Sequence, residues 1–194
     1  MRKRPYVYVV AGPNGSGKTT FAEEFLPNYV NCPIFINADT IARGLSGFSP
    51  DAVSLKAGKL LLEQIDAYSS KKVDFAFETT LSGVAYISRL KDLKKKGYKI
   101  RLFFLWIPDV RLSIARVQNR VKMGGHGVSE KVVRRRFHKG IKNFFSLYRS
   151  ILDSWMLFDN SGDTPRVIAE EESGEIKIHD QNLYGKIFKL AEEK

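Results

Sequence analysis

The segment GPNGSGKT at residues 12–19 limits what this chain can fold into more than any other stretch. It follows the short, β-branched apolar run YVYVVA (6–11) and leads into a helical pattern, so strand, glycine loop and helix come in direct succession. Gly12, Gly15 and Gly17 let the backbone turn inward and aim N–H groups at phosphate oxygens, with Pro13, Asn14 and Ser16 filling the loop between them. The N-terminus of the helix adds partial positive charge. Lys18 is expected to bridge the outer phosphates, Thr19 to help hold Mg²⁺, and Thr20 to complete the cradle. A nucleotide follows from this pattern; a reaction does not.

The remaining chain alternates strands with helices. Strands are expected at IFINAD (34–39), DFAFETT (74–80), YKIRLFFLWI (98–107) and WMLFDN, and helices at roughly 18–25 before Pro27, at 49–72 with Ser49 as cap, at 83–97, from Pro108 to the paired glycines, and at about 129–152. RVIAEE and EIKIHD around SG read as an antiparallel hairpin, followed by a helix over about 181–193. The fold class is therefore α/β: a P-loop-type parallel sheet flanked by helices, with a C-terminal β-hairpin and helix. No repeat or linker divides the chain, and one domain over 1–194 is expected. Ligands of such sheets bind beyond the carboxyl ends of the strands, which directs attention to Asn37–Asp39, Glu78–Thr80 and Pro108–Arg111.

A net charge of +11 favours polyanionic partners such as nucleotides, sugar phosphates, nucleic acid or an acidic protein face. The single cysteine, Cys32, excludes an internal disulfide framework and suits a reducing, cytoplasmic setting. The longest apolar run is strand-sized, so no membrane span is expected, and the apolar stretch after the basic N-terminus is too short for a targeting signal.

Chemistry then rests on a few side chains. Asp39 either takes the proton of an attacking hydroxyl or caps the helix that follows; Asn37 is a turn former or a substrate contact. Glu78 either orients a metal-bound water or bonds an acceptor hydroxyl, beside Thr79, Thr80 and Ser82. Arg116 and Arg120 precede a glycine-rich turn, and Arg134, Arg135 and Arg136 follow it, a layout suited to a lid at about 116–137 that closes over a transferring phosphate. Val133, Phe137, Ile141, Phe144 and Tyr148 form an apolar stripe, and Arg136 lies nearer to it than Arg135. His126 is expected to serve the turn, and Trp106 to pack in the core.

Taken in order, AGPNGSGKTT, INADTIARGLSGFSP, FAFETTLSG, NRVKMGGHGVSEKVVRRRF and LFDNSG resemble the zeta-toxin-like family of P-loop kinases, over nearly all of the chain up to about residue 162. One departure is Ser129, where that family usually has proline. The resemblance implies ATP-dependent phosphorylation of UDP-N-acetylglucosamine on a sugar hydroxyl, with ATP and Mg²⁺ as cofactors and an antitoxin protein as partner. It implies that Lys18 and Thr19 serve ATP and metal and that Asp39 is the catalytic carboxylate. Asn37, Asp39, Arg43, Glu78, Thr79 and Thr80 would form the acceptor edge. Arg120 and one of Arg134, Arg135 and Arg136 would contact phosphate; the working assignment sets Arg135 at the transferring group and Arg134 and Arg136, with Arg120, at the nucleotide. The leading expectation is a small-molecule kinase acting on a hydroxyl acceptor. A polynucleotide or RNA kinase gains from the charge, but the chain lacks a basic stripe interleaved with aromatics. An ATP-binding switch without transfer would have no use for Asp39.

Overall fold

The computed structural model describes residues 4–47, 50–125 and 127–192. Seven strands form one sheet: β1 (Tyr6–Ala11), β2 (Phe35–Ile36), β3 (Phe75–Thr79), β4 (Lys99–Trp106), β5 (Ser154–Asp159), β6 (Arg166–Glu172) and β7 (Glu175–Ile178). Their order is β2-β3-β1-β4-β5-β6-β7; the first five run parallel, and β6 and β7 are antiparallel. The helices are α1 (Lys18–Tyr29), α2 (Ala38–Leu45), α3 (Ser54–Lys71), α4 (Ala85–Lys95), α5 (Val110–Lys122), α6 (Glu130–Asn143) and α7 (Gln181–Glu192). No helix among the described residues is long and apolar enough to cross a membrane.

Both faces of the sheet are covered, and alternation along each strand decides which side chain goes where. Val7, Val9 and Ala11 of β1 join Ile100, Leu102 and Phe104 of β4 in the larger core, beneath Leu61 and Ile65 of α3, Leu90 of α4 and Ile187 of α7. Tyr8, Val10, Phe103 and Leu105 point the other way, onto Phe21, Ala22 and Leu26 of α1. Trp106 is 7% exposed and packs in the larger core, as expected from its place on the strand. A third, small cluster of Ile114, Val117 and Val133 seals α5 against α6. Because β1 lies between β3 and β4, the chain leaves β1 at a point where the sheet is extended in both directions. The crevice that such an arrangement opens at the carboxyl end of β1 is where the glycine loop sits.

The structure departs from the sequence reading at four places. Helix α1 runs through Pro27 to Tyr29. Pro27 is exposed and lies in the last turn, where its missing N–H costs the helix a bond only near its end. Strand β2 is only two residues long, because Asn37 ends it by capping α2. A 3₁₀ turn (Pro50–Val53) precedes α3, and the cap expected at Ser49 lies outside the described residues, as does the turn role expected of His126. The helix expected over 129–152 is α6 followed by a π-helical turn (Phe144–Tyr148) and a 3₁₀ turn (Arg149–Ile151).

Candidate functional site

The glycine loop is held from outside by donors aimed at its carbonyls. Ser113 Oγ on α5 donates to Asn14 O at 2.5 Å. Arg116 Nη1 on the same helix approaches Gly15 O at 3.4 Å and donates to Asn160 O at 3.0 Å, while its Nη2 donates to Ser161 O at 2.9 Å. Asn160 Nδ2, just past β5, donates to Ser16 O at 2.6 Å. With those three carbonyls fixed outward, loop N–H groups other than that of Ser16, which donates to Pro13 O at 3.3 Å, are left for the interior of the loop. Gly17 stands at φ 81° before α1, and a Cβ there would lie 2.6 Å from Asn160 Nδ2, so the position excludes a side chain on both counts.

Inside the loop, a compact polar cluster forms around Glu78 at the end of β3. Its Oε2 accepts from Thr19 Oγ1 and from Asn37 Nδ2, both at 2.8 Å, and its Oε1 lies 3.5 Å from Lys18 Nζ. Lys18 Nζ also donates to Pro13 O at 2.8 Å. Burial lowers the Lys18 pKa; the charges of Glu78 and Asp39 oppose that shift, and Arg120 adds to it. Lys18, Glu78, Asp39 and Arg120 therefore share one electrostatic neighbourhood, although they come from four different elements.

Asp39 lies in the first turn of α2, half-buried, and does not point into the core. The capping role that the sequence left open for it belongs to Asn37, whose Oδ1 accepts from Asp39 N at 2.7 Å and Thr40 N at 3.2 Å. That frees the Asp39 carboxylate. Its charge reaches Arg136, whose pKa is lowered by burial and by Arg135 and held up by Asp39.

The structure separates the three consecutive arginines of α6. Arg136 is one turn from both Val133 and Gly140, which are buried, so it shares the inward helix face. Arg134 is turned to Glu130, with bonds of 2.6 and 2.9 Å, and is half-exposed. Arg135, assigned from sequence to the transferring phosphate, is exposed and reaches the site only as a positive neighbour of Arg136. Arg116 is committed to backbone carbonyls. Arg120 is different: its Nε and Nη2 are buried and have no hydrogen-bond partner among the described residues. It lines a cleft of about 440 Å³ with Arg43, Asn119 and Gly125.

The acceptor edge expected at Thr79 and Thr80 is the end of β3 and the bent loop that follows it. Thr79 Oγ1 accepts from Leu81 N at 3.1 Å, Thr80 Oγ1 and Ser82 Oγ are 2.9 Å apart, and Leu81 takes φ 52°. The segment after β3 is gripped by the far helix: Asn143 Nδ2 donates to Leu81 O at 2.7 Å and Tyr148 Oη to Gly83 O at 2.6 Å. Gly140 lets α6 come so close that a Cβ there would meet Thr80 O at 2.6 Å. In a continuous α-helix, positions 143 and 148 would stand about 140° apart around the axis. The π turn between them brings both side chains to one loop.

A second cleft, of about 580 Å³, runs along Gly15, Gly17 and Thr20 past Phe21, Phe25 and Phe158 to Asn160 and Pro165. Ser113, Asn160, Asn143 and Tyr148 were not singled out as site residues in the sequence. Asn160 in FDNSG, the last residue of the strand expected at WMLFDN, carried the one usable signal.

The residues present fit a nucleotide triphosphate with a hard cation. Acceptor oxygens would satisfy the orphaned Arg120 N–H groups and the buried, unpaired Ser16 Oγ, whereas the unpaired Asn14 Oδ1 gains nothing from an anion. Thr19 Oγ1 and Glu78 Oε2, adjacent oxygens at the loop, are the donors Mg²⁺ prefers.

A glycine loop at the carboxyl end of a parallel sheet, ringed by a lysine, two carboxylates and arginines, defines the class: a kinase-type P-loop nucleotide-binding fold. The chain belongs to the zeta toxin family, whose model matches residues 1–184. It is similar to an uncharacterised protein of Haemophilus influenzae, with 33% identity over 126 residues, 65% of this chain and 88% of that one. Among solved structures it is similar to the AvrRxo1-ORF1:-ORF2 complex with ATP (TM-score 0.78, 19% identity, 96% of this chain), and it spans 64% of that relative's length. It is also similar to the PezAT chromosomal toxin-antitoxin system of Streptococcus pneumoniae (TM-score 0.66, 15% identity, covering 98% of this chain and 85% of that one). At these identities the likeness to solved structures is one of fold.

Proposed function

We propose that the protein transfers the γ-phosphate of ATP to a hydroxyl group of a small acceptor. The carrying observation is the position of Asp39: released from capping by Asn37, half-exposed, and within charge reach of both Lys18 and Arg136. In this reading ATP lies along the cleft from Phe21 and Asn160 to the loop, with Lys18 and the loop amides on its phosphates. Thr19 and Glu78 would hold Mg²⁺, which supplies charge neutralisation at the phosphates when bound. Asp39 takes the proton from the acceptor hydroxyl as its oxygen bonds to the γ-phosphorus and the bond to the bridging oxygen breaks, releasing ADP. Arg120 and Arg136 face the negative charge that spreads over the migrating group. The α5–α6 turn, within about 116–137, acts as the lid.

The acceptor proposed is a nucleotide sugar, UDP-N-acetylglucosamine, on the strength of family membership and of the Arg43–Arg120 cleft, whose charge suits a diphosphate. An antitoxin partner is proposed from the toxin-antitoxin system among the similar structures. Incubation with γ-labelled ATP and a panel of sugar nucleotides tests the transfer directly. Asp39→Asn should lower the rate of label transfer by about 10²–10⁴-fold, the usual worth of a positioned base, while ATP binding stays within about twofold. Transfer at the wild-type rate in that variant would show that Asp39 is not the base.

A further inference from the structure

Asn37 uses both ends of its amide in two different structures. At one end Oδ1 accepts from Asp39 N at 2.7 Å and Thr40 N at 3.2 Å, fixing the first turn of α2. At the other, Nδ2 donates to Glu78 Oε2 at 2.8 Å and lies 3.4 Å from Thr19 Oγ1. Thr19 donates to the same Glu78 oxygen. One side chain, 6% exposed, thus touches the loop hydroxyl, the β3 carboxylate and the helix that carries Asp39.

The chemistry of the position narrows the residue to asparagine. Serine, threonine, aspartate and asparagine all cap helices well. Serine and threonine are too short to cap α2 and also reach Glu78, and their hydroxyl would have to serve both ends. Aspartate would cap equally well but set a second carboxylate against Glu78. Only an amide accepts at one end and donates at the other. Its orientation is fixed too, because a flipped amide would face two backbone N–H groups with its own N–H₂.

We infer that Asn37 is a positioning residue that couples the state of the Thr19–Glu78 pair to the placement of Asp39, and is not an acceptor contact. The inference rests on the kinase reading for its consequence in catalysis, but the coupling itself is a property of the fold. Helix α2 is eight residues long and carries Asp39 in its first turn, two residues from the cap, so a change at Asn37 acts directly on the turn that holds the carboxylate. A cation drawn to Thr19 competes for the Glu78 oxygen that Asn37 holds, and the amide carries the change to Asp39. The base is thereby set in register with a loaded nucleotide.

The test compares Asn37→Ser, which keeps a capping oxygen and cuts the tie to Glu78, with Asn37→Asp, which keeps the cap and reverses the tie. Amide hydrogen exchange over residues 37–45 is measured with ATP alone and with ATP plus Mg²⁺, beside kcat, the KM for each substrate and the melting curve. In the wild-type protein Mg²⁺ should slow exchange in α2 beyond the effect of ATP alone. In Asn37→Ser that increment should vanish and kcat fall at least tenfold, with ATP affinity within about threefold and the KM for acceptor little changed. Asn37→Asp should lose the increment as well, and it decides the matter if the serine variant fails to fold. Retention of the increment with kcat within twofold in either folded variant would reduce Asn37 to a helix cap, and a wild-type protein without the increment would overturn the coupling outright. A wild-type protein that shows the increment but phosphorylates no acceptor would sink the kinase reading and leave the coupling standing.

Discussion

The two rims of the crevice are built on the same device and fixed by different means. On the nucleotide rim, Ser113, Arg116 and Asn160 bind the carbonyls of Asn14, Gly15 and Ser16, so the loop amides turn inward. On the rim proposed for the acceptor, called the acceptor rim below, Asn143 and Tyr148 bind the carbonyls of Leu81 and Gly83, with Gly140 making room for Thr80 O. In both, side-chain donors aimed at a loop's carbonyls hold its backbone in shape. The nucleotide rim, however, is a local motif that would curl inward by its own glycines, and its buttresses tighten a shape already present. The acceptor rim has no such motif. Its bend at Leu81 has one local bond, from Leu81 N to Thr79 Oγ1, and is otherwise gripped by a helix more than sixty residues away. Ligand contacts on the first rim should therefore survive changes in the buttresses better than those on the second.

The largest effect should come from Lys18→Met, which removes the central cation of the nucleotide rim and should cut kcat/KM by about 10³-fold in a label-transfer assay. The same change should alter how the stability of the free protein depends on pH. Burial holds the Lys18 ammonium below its usual 10.5, so between the two values the unfolded chain binds the proton more tightly. The buried charge thus costs stability at neutral pH, and the cost fades as pH rises through the depressed value towards 10.5. Denaturant melts should show wild type gaining stability relative to Lys18→Met as pH rises towards 10.5; a difference that does not change with pH would mean that Lys18 does not titrate early.

Next in size, Arg136→Ala should lower kcat by about 10²-fold, whereas Arg134→Ala should cost far less, since an exposed pair with Glu130 is worth only about 0.2–1 kcal/mol. Equal losses from the two would erase the distinction between inward and outward arginines on α6. The smallest effects test the rims against each other. Tyr148→Phe removes the donor to Gly83 O, on an exposed residue, and should cost about 0.5–1.5 kcal/mol, while raising the KM for acceptor and sparing that for ATP. Asn160→Ala removes the donor to Ser16 O and should show the mirror pattern, with the ATP side weakened and the acceptor side spared. Kinetics in which both variants raise both constants alike would mean that the rims move as one body.

The phosphate loop, the parallel order of strands and helices, and the hairpin were legible in the chain, because each is written in neighbouring residues. Glycine spacing, β-branched runs and helix starts such as Asp109 bias the backbone over a few positions, and that bias survives in any compact fold. Tertiary packing alone settled the directions of side chains. It made Asn37 the cap and left Asp39 free, turned Arg136 inward and Arg134 out, widened the helix at Phe144–Tyr148, and recruited Ser113 and Asn143 to loops distant in sequence. The physical reason is that a rotamer and a helix face acquire their energies from whatever packs against them. For those residues the neighbours lie tens of positions away, where local spacing carries no record of them.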